Sequence, residues 1–226
     1  MKERKYICNK KIEKSWLINS NDYKVNDFNL NENAVICNTK LLTIIKMFRD
    51  TQTDRIDIIS LVNHLQFNIL RSFKELTIAK NKLDKFISVN LLKRSPEQIL
   101  DDGYFIGCTD LAIVVANALR LAGYYCELIF TVSQNFSLTN NRGHTFIFAT
   151  IKGQACLIDA SLKSLYENYS FESEYLINSL EGNQLIIGRT QNLKQIGLTN
   201  KTELTKLRNY YFFNHKNFKY GFISKY

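Results

Sequence analysis

One proline, nine glycines and one tryptophan among 226 residues leave no basis for a collagen-like or proline- and glycine-rich chain. With 45% hydrophobic and 23% charged positions, coiled-coil and wholly disordered readings are excluded too, and the chain has enough apolar content for a core. Long hydrophobic runs are also lacking. The most apolar stretch, Leu111 to Ala122, is broken by Asn117 and Arg120, so no membrane span is expected. The charged start MKERKYICNKKIEKSW is not followed by an apolar segment. No secretory signal is visible, so the expected compartment is the cytoplasm, with specialised secretion as an effector left open. Five cysteines, at 8, 37, 108, 126 and 156, form no CxxC pair and no metal-ligand spacing. Neither a disulfide scaffold nor zinc is expected, and no cofactor is implied.

Acidic residues are missing from one end: residues 204 to 226 hold five bases and no Asp or Glu. Residues 1 to 14 hold six bases and two acids, and these two ends account for the whole net charge of +9. The interior is formally neutral, which argues against a basic groove and makes nucleic acid an unexpected partner. The aromatic-rich stretch from Asn209 to Tyr226 reads, on β-propensity, as a closing strand pair.

Apolar residues at helical spacing mark Leu41 to Phe48 and then Ile56 to Val89, one long helix or two shorter ones. Ser95-Pro96-Glu97-Gln98 is a capping box with proline in the first turn, opening a short helix to about Leu100. Cys108 to Ala122 is apolar on nearly every face and stops at Gly123, so this helix must be central and buried. Glu127 to Val132 reads as a strand, and His144 to Ile151 and Gln154 to Ala160 flank Lys152-Gly153 as a hairpin. Residues 164 to 180 read as helical and Leu185 to Gly188 as a strand. Helices first and antiparallel strands afterwards give an α+β fold, expected as a catalytic domain over 51–226 preceded by an N-terminal extension over 1–50.

A nucleophilic cysteine needs a lowered thiol pKa and a histidine to pair with. Cys108 opens the buried helix, where unpaired N–H groups and the positive end of the helix dipole face its sulfur. Of three histidines, His144 follows Gly143 at a strand mouth, whereas His64 lies in a periodic helix and His215 in the tail. If Lys152 and Gly153 form a two-residue turn, Phe146 lies opposite Asp159 and His144 shares their face, within reach of the carboxylate. A slip of one residue would separate them. The roles then follow: Cys108 attacks as thiolate, His144 moves protons and Asp159 orients the ring. Asp110, in the first turn, complements the helix dipole. Cys126 and Cys156 lie within strands and read as structural.

Ser95-Pro96-Glu97-Gln98-Ile99-Leu100, Gly107-Cys108-Thr109-Asp110-Leu111-Ala112, Ala118-Leu119-Arg120-Leu121-Ala122-Gly123, Gly143-His144-Thr145-Phe146 and Leu157-Ile158-Asp159-Ala160 together resemble the core of the transglutaminase-like superfamily. The resemblance spans residues 95 to 161 and implies a papain-like fold, with a central buried helix on an antiparallel sheet and a Cys108-His144-Asp159 triad for acyl transfer through a thioester. Phe146 and Ala160 stand where many members carry Trp and Pro, and Asp102 where a papain-like enzyme carries Gln. Tyr104 or the Cys108 backbone N–H is then the candidate oxyanion donor. The expected activity is on amide or peptide bonds of a protein or peptide substrate, with a peptidase or deamidase favoured over a transglutaminase because the chain is short. The rival is a catalytically inactive transglutaminase-like module that binds a protein partner.

Overall fold

The computed structural model describes residues 39–73, 87, 90–133, 143–170, 176–179, 182–191, 193, 198 and 200–214. Its helices are α1 (Thr39–Met47), α2 (Ile58–His64), α3 (Pro96–Asp102), α4 (Cys108–Leu121) and α5 (Lys201–Asn214). The strands are β1 (Arg71–Ser72), β2 (Tyr104–Phe105), β3 (Tyr125–Ser133), β4 (Gly143–Ile151), β5 (Gln154–Asp159), β6 (Ser164–Glu167), β7 (Leu176–Ser179) and β8 (Gly182–Thr190). The fold is α+β. Strands β6-β5-β4-β3-β8-β7 form one antiparallel sheet, and β1 pairs with β2 in parallel.

Helix α4 is buried from Thr109 to Leu119 because its surface is apolar on nearly every side, with Thr109, Asp110 and Asn117 the polar exceptions. It lies against one sheet face, where Ile147, Ala149, Cys156 and Ile158 join it in the main core. The other face carries a smaller cluster of Ile129, Phe146, Leu157, Ile177 and Ile186. Helix α1, assigned from sequence to the extension, puts Leu41, Ile44 and Ile45 into the same core as α4. A boundary at residue 50 therefore cuts through packed structure; residues 1–38 lie outside the described residues.

Local signals are used as the physics requires. Ser95 caps α3 with both bonds of the capping box, and Gly103, at φ 72, ends it two residues beyond Leu100. Lys152 and Gly153 both have positive φ, as a two-residue type I′ turn demands, and Ile147 faces Ile158 in the register that this turn sets.

Three sequence expectations are corrected. The helical pattern from Ile56 is interrupted: α2 passes into a π-helical turn, Leu65–Ile69, and then into β1, and helix is found again at residues 87 and 90, while 74–86, 88 and 89 lie outside the described residues. Residues 164–180 are not helical where described; they contribute β6 and β7, edge strands whose apolar residues pair across the sheet. The expected strands from Asn209 begin instead as α5, which starts where the Asn200 side chain accepts the Glu203 N–H at 3.0 Å. Residues 215–226 lie outside the described residues.

Candidate active site

Cys108 is the first residue of α4, after an extended Gly107 that offers no side-chain cap. The helix start is thus left with unpaired N–H groups around a partly exposed sulfur. A buried ion cluster holds this end in place. Asp110 takes the Ile106 N–H at 2.8 Å and pairs with Arg94, which also reaches Asp102 at 2.8 Å. Beyond complementing the helix dipole, Asp110 therefore fastens the α3–α4 connection.

His144 is the second residue of β4, buried, with its ring edge-on to Phe146 at 4.7 Å between centroids. Its Nε2 lies 2.8 Å from Oδ2 of Asp159, within ion-pair distance, although the ring N–H does not point squarely at the oxygen. The imidazole also neighbours the Cys108 thiol, near enough for each group to shift the protonation of the other. Asp159, fully buried at the end of β5, is fixed from behind: Oδ1 accepts the N–H groups of Ser161 at 2.9 Å and Leu162 at 3.0 Å. One carboxylate oxygen is spent on its own turn and the other faces the imidazole.

The electrostatics favour charge separation. Burial pushes the Cys108 thiol up, but His144, helped by Thr145 and Thr109, outweighs it and holds the thiol below its ordinary pKa. Burial pulls His144 down, yet Asp159 and the Cys108 sulfur raise it to about 10. Both shifts favour the thiolate–imidazolium form of the pair over the neutral one. Cys126 is the contrast, pushed up to about 12 by burial. Cys156 is raised by burial as well.

The structure thus brings Cys108, His144 and Asp159 together. Tyr104, the other candidate oxyanion donor, neighbours Asp102, and the Arg94 guanidinium lies 4.5 Å from its ring centroid. The Cys108 N–H opens a helix whose Gly107 N-cap gives no side-chain cap. Among the described residues no three His, Cys, Asp or Glu side chains form a metal-binding group, and no described helix is long and apolar enough to cross a membrane.

Other residues at the site carried little sequence signal. Thr145 and Thr109 hydrogen-bond to each other at 2.8 Å, and the Cys108 sulfur lies 3.9 Å from the Thr145 hydroxyl. Gln66, in the π-helical turn, donates to the Ala160 carbonyl next to Asp159. Arg208 of α5 reaches over Gly143; the acid-free sequence around it was its one visible mark.

No protein-family model matches this chain, and neither does any curated protein. Among solved structures it is similar to a candidate cysteine protease from Cytophaga hutchinsonii at 13% identity, over 78% of this chain and 52% of that one, with a TM-score of 0.43. The chain therefore spans about half the length of that protein. It is similar also to Legionella pneumophila LapG, at 17% identity over 88% of this chain and 96% of that one, with a TM-score of 0.40. For the calcium-bound form of LapG the values are 18%, 86% and 97%, with a TM-score of 0.39. Likenesses this distant transfer no residue role to this chain.

Proposed function

We propose that this chain is a cysteine-dependent acyl-transfer enzyme of transglutaminase-like type that hydrolyses an amide or peptide bond through a thioester. The observation that supports it best is His144, whose Nε2 lies 2.8 Å from the buried Asp159 and whose ring holds the Cys108 thiol below its ordinary pKa.

The chemistry follows from the protonation states. The Cys108 thiolate attacks the carbonyl carbon, a C–S bond forms, and the oxyanion meets the Cys108 N–H at the uncapped helix start. The His144 imidazolium gives its proton to the departing nitrogen, the C–N bond breaks, and an amine leaves behind a thioester. Neutral His144 then takes a proton from water, hydroxide oxygen bonds to the carbonyl carbon, and the C–S bond breaks. Carboxylic acid leaves, and the proton held on His144 restores the ion pair. Asp159 keeps the ring oriented and stabilises its cationic form throughout.

The test is to incubate the full chain and its Cys108→Ala variant with peptide and glutamine-containing substrates in heavy-oxygen water, and to read products by mass spectrometry. The expected result is a product carrying one heavy oxygen, formed at least about a thousandfold more slowly by the variant. A product that forms only with an added amine would replace hydrolysis with transfer. Absence of any Cys108-dependent product overturns the proposal.

A further inference from the structure

We infer that Arg208 is an anion-binding residue of the substrate cleft, and that the substrate carries a carboxylate close to the scissile amide. This deepens the catalytic reading above and depends on it. Arg208 lies on α5, and its guanidinium sits against the backbone that opens β4. A Cβ built on Gly143 would lie 2.1 Å from Nη2, 2.5 Å from Cζ and 2.6 Å from Nε. Only a residue without a side chain admits the guanidinium there, one position before His144. The group is also close enough to Cys108 for the sulfur's charge to favour the guanidinium, against a larger opposing effect of burial.

Among the described residues this cation has no acid partner. The described ion pairs of Arg and Lys use Arg49, Arg94, Arg189 and Lys206, whereas the buried Nε of Arg208 has no hydrogen-bond partner. The one acid of its own helix, Glu203, pairs with Lys206, and residues 204 to 226 contain no Asp or Glu. A largely desolvated guanidinium without a counter-charge is unfavourable, so it favours any anion that can reach it. When Cys108 is ionised, its thiolate provides partial compensation. Acylation converts that sulfur into a neutral thioester and removes the charge just as substrate fills the cleft. A substrate carboxylate restores it, and the planar fork of arginine fits that group in a bidentate way.

The probe pair is iodoacetate and iodoacetamide, which differ in charge and form no oxyanion on reaction. Alkylation of Cys108 by each is timed by mass spectrometry in the wild type, Arg208→Gln and Arg208→Lys. His144 attracts iodoacetate in all three proteins, so the comparison between them isolates Arg208. The expected result is an iodoacetate-to-iodoacetamide rate ratio about tenfold lower in Arg208→Gln and largely kept in Arg208→Lys. In the wild type alone, amidated peptides bearing an internal glutamate, and peptides whose one acid is the chain terminus, compete against iodoacetamide. Protection by the first kind assigns the carboxylate to a side chain, and protection by the second assigns it to the chain end. Rapid iodoacetamide labelling of Cys108 with an unchanged ratio, and equal protection by glutamate and glutamine peptides, overturns this inference alone. Slow labelling of wild-type Cys108 by both reagents overturns the catalytic reading and this one with it.

Discussion

Desolvation works against ionising either the Cys108 thiol or the His144 imidazole, and here each supplies the charge that the other needs. The ion pair forms as pH rises through the lowered Cys108 pKa, and it is lost as pH rises through the His144 value of about 10. Asp159→Asn separates charge from geometry, because an amide oxygen still accepts the N–H groups of Ser161 and Leu162. Cys108 alkylation in this variant is expected to begin at higher pH and to lose its imidazolium limb at lower pH, with stability little changed. Asp159→Ala strands both donors and is expected to cost a further 1–3 kcal/mol or so in urea unfolding. An unchanged pH profile in Asp159→Asn would remove the carboxylate from the chemistry.

At the scale of elements, the nucleophile is as well placed as the connection that holds α4 to α3. Buried Asp110 and Arg94, with Asp102 at the surface, form that connection. Removing Asp110 leaves Arg94 with Asp102 alone and the Ile106 N–H without its acceptor, so Asp110→Ala is expected to cost roughly 1–3 kcal/mol and to slow Cys108 labelling. A cost under about 1 kcal/mol in urea unfolding would show that the cluster does not fasten the helix. The elements legible in sequence were those with their own punctuation: the Ser95 capping box, the Lys152-Gly153 turn and the uniformly apolar α4. The hairpin also set the register that puts His144 near Asp159. Strands β6 and β7 were not legible, since four residues are too few for a periodicity and pairing with β5 and β8 decides their state. At α5 two signals competed. The Asn200 cap begins a helix, and it prevails over the β-propensity of the aromatics that follow. Arg208 was illegible because its meaning comes from what it touches, a glycine 65 positions earlier in the chain.

For the whole molecule, α1 and α4 share one core although the sequence between them suggested a boundary at residue 50. Leu41→Ala is therefore expected to destabilise the entire fold by about 2–5 kcal/mol, in a single unfolding transition followed by both circular dichroism and Cys108 exposure. Two separate transitions, or a loss below about 0.5 kcal/mol, would restore the picture of an independent extension. Composition and periodicity were sufficient for the α+β class because helix and strand patterns segregate along the chain. Where the N-terminal helix belongs is a long-range packing fact, which no local pattern near Leu41 carries.

The central claim is the thiolate–imidazolium pair, and the most direct measurement is the pH dependence of Cys108 alkylation in the full chain and in His144→Ala, read site by site by mass spectrometry. The predicted result is labelling of wild-type Cys108 well below pH 8, ahead of Cys126 and Cys156, with that advantage lost in the variant. Labelling of Cys108 no faster than the two structural cysteines, or unchanged by the loss of His144, would contradict it.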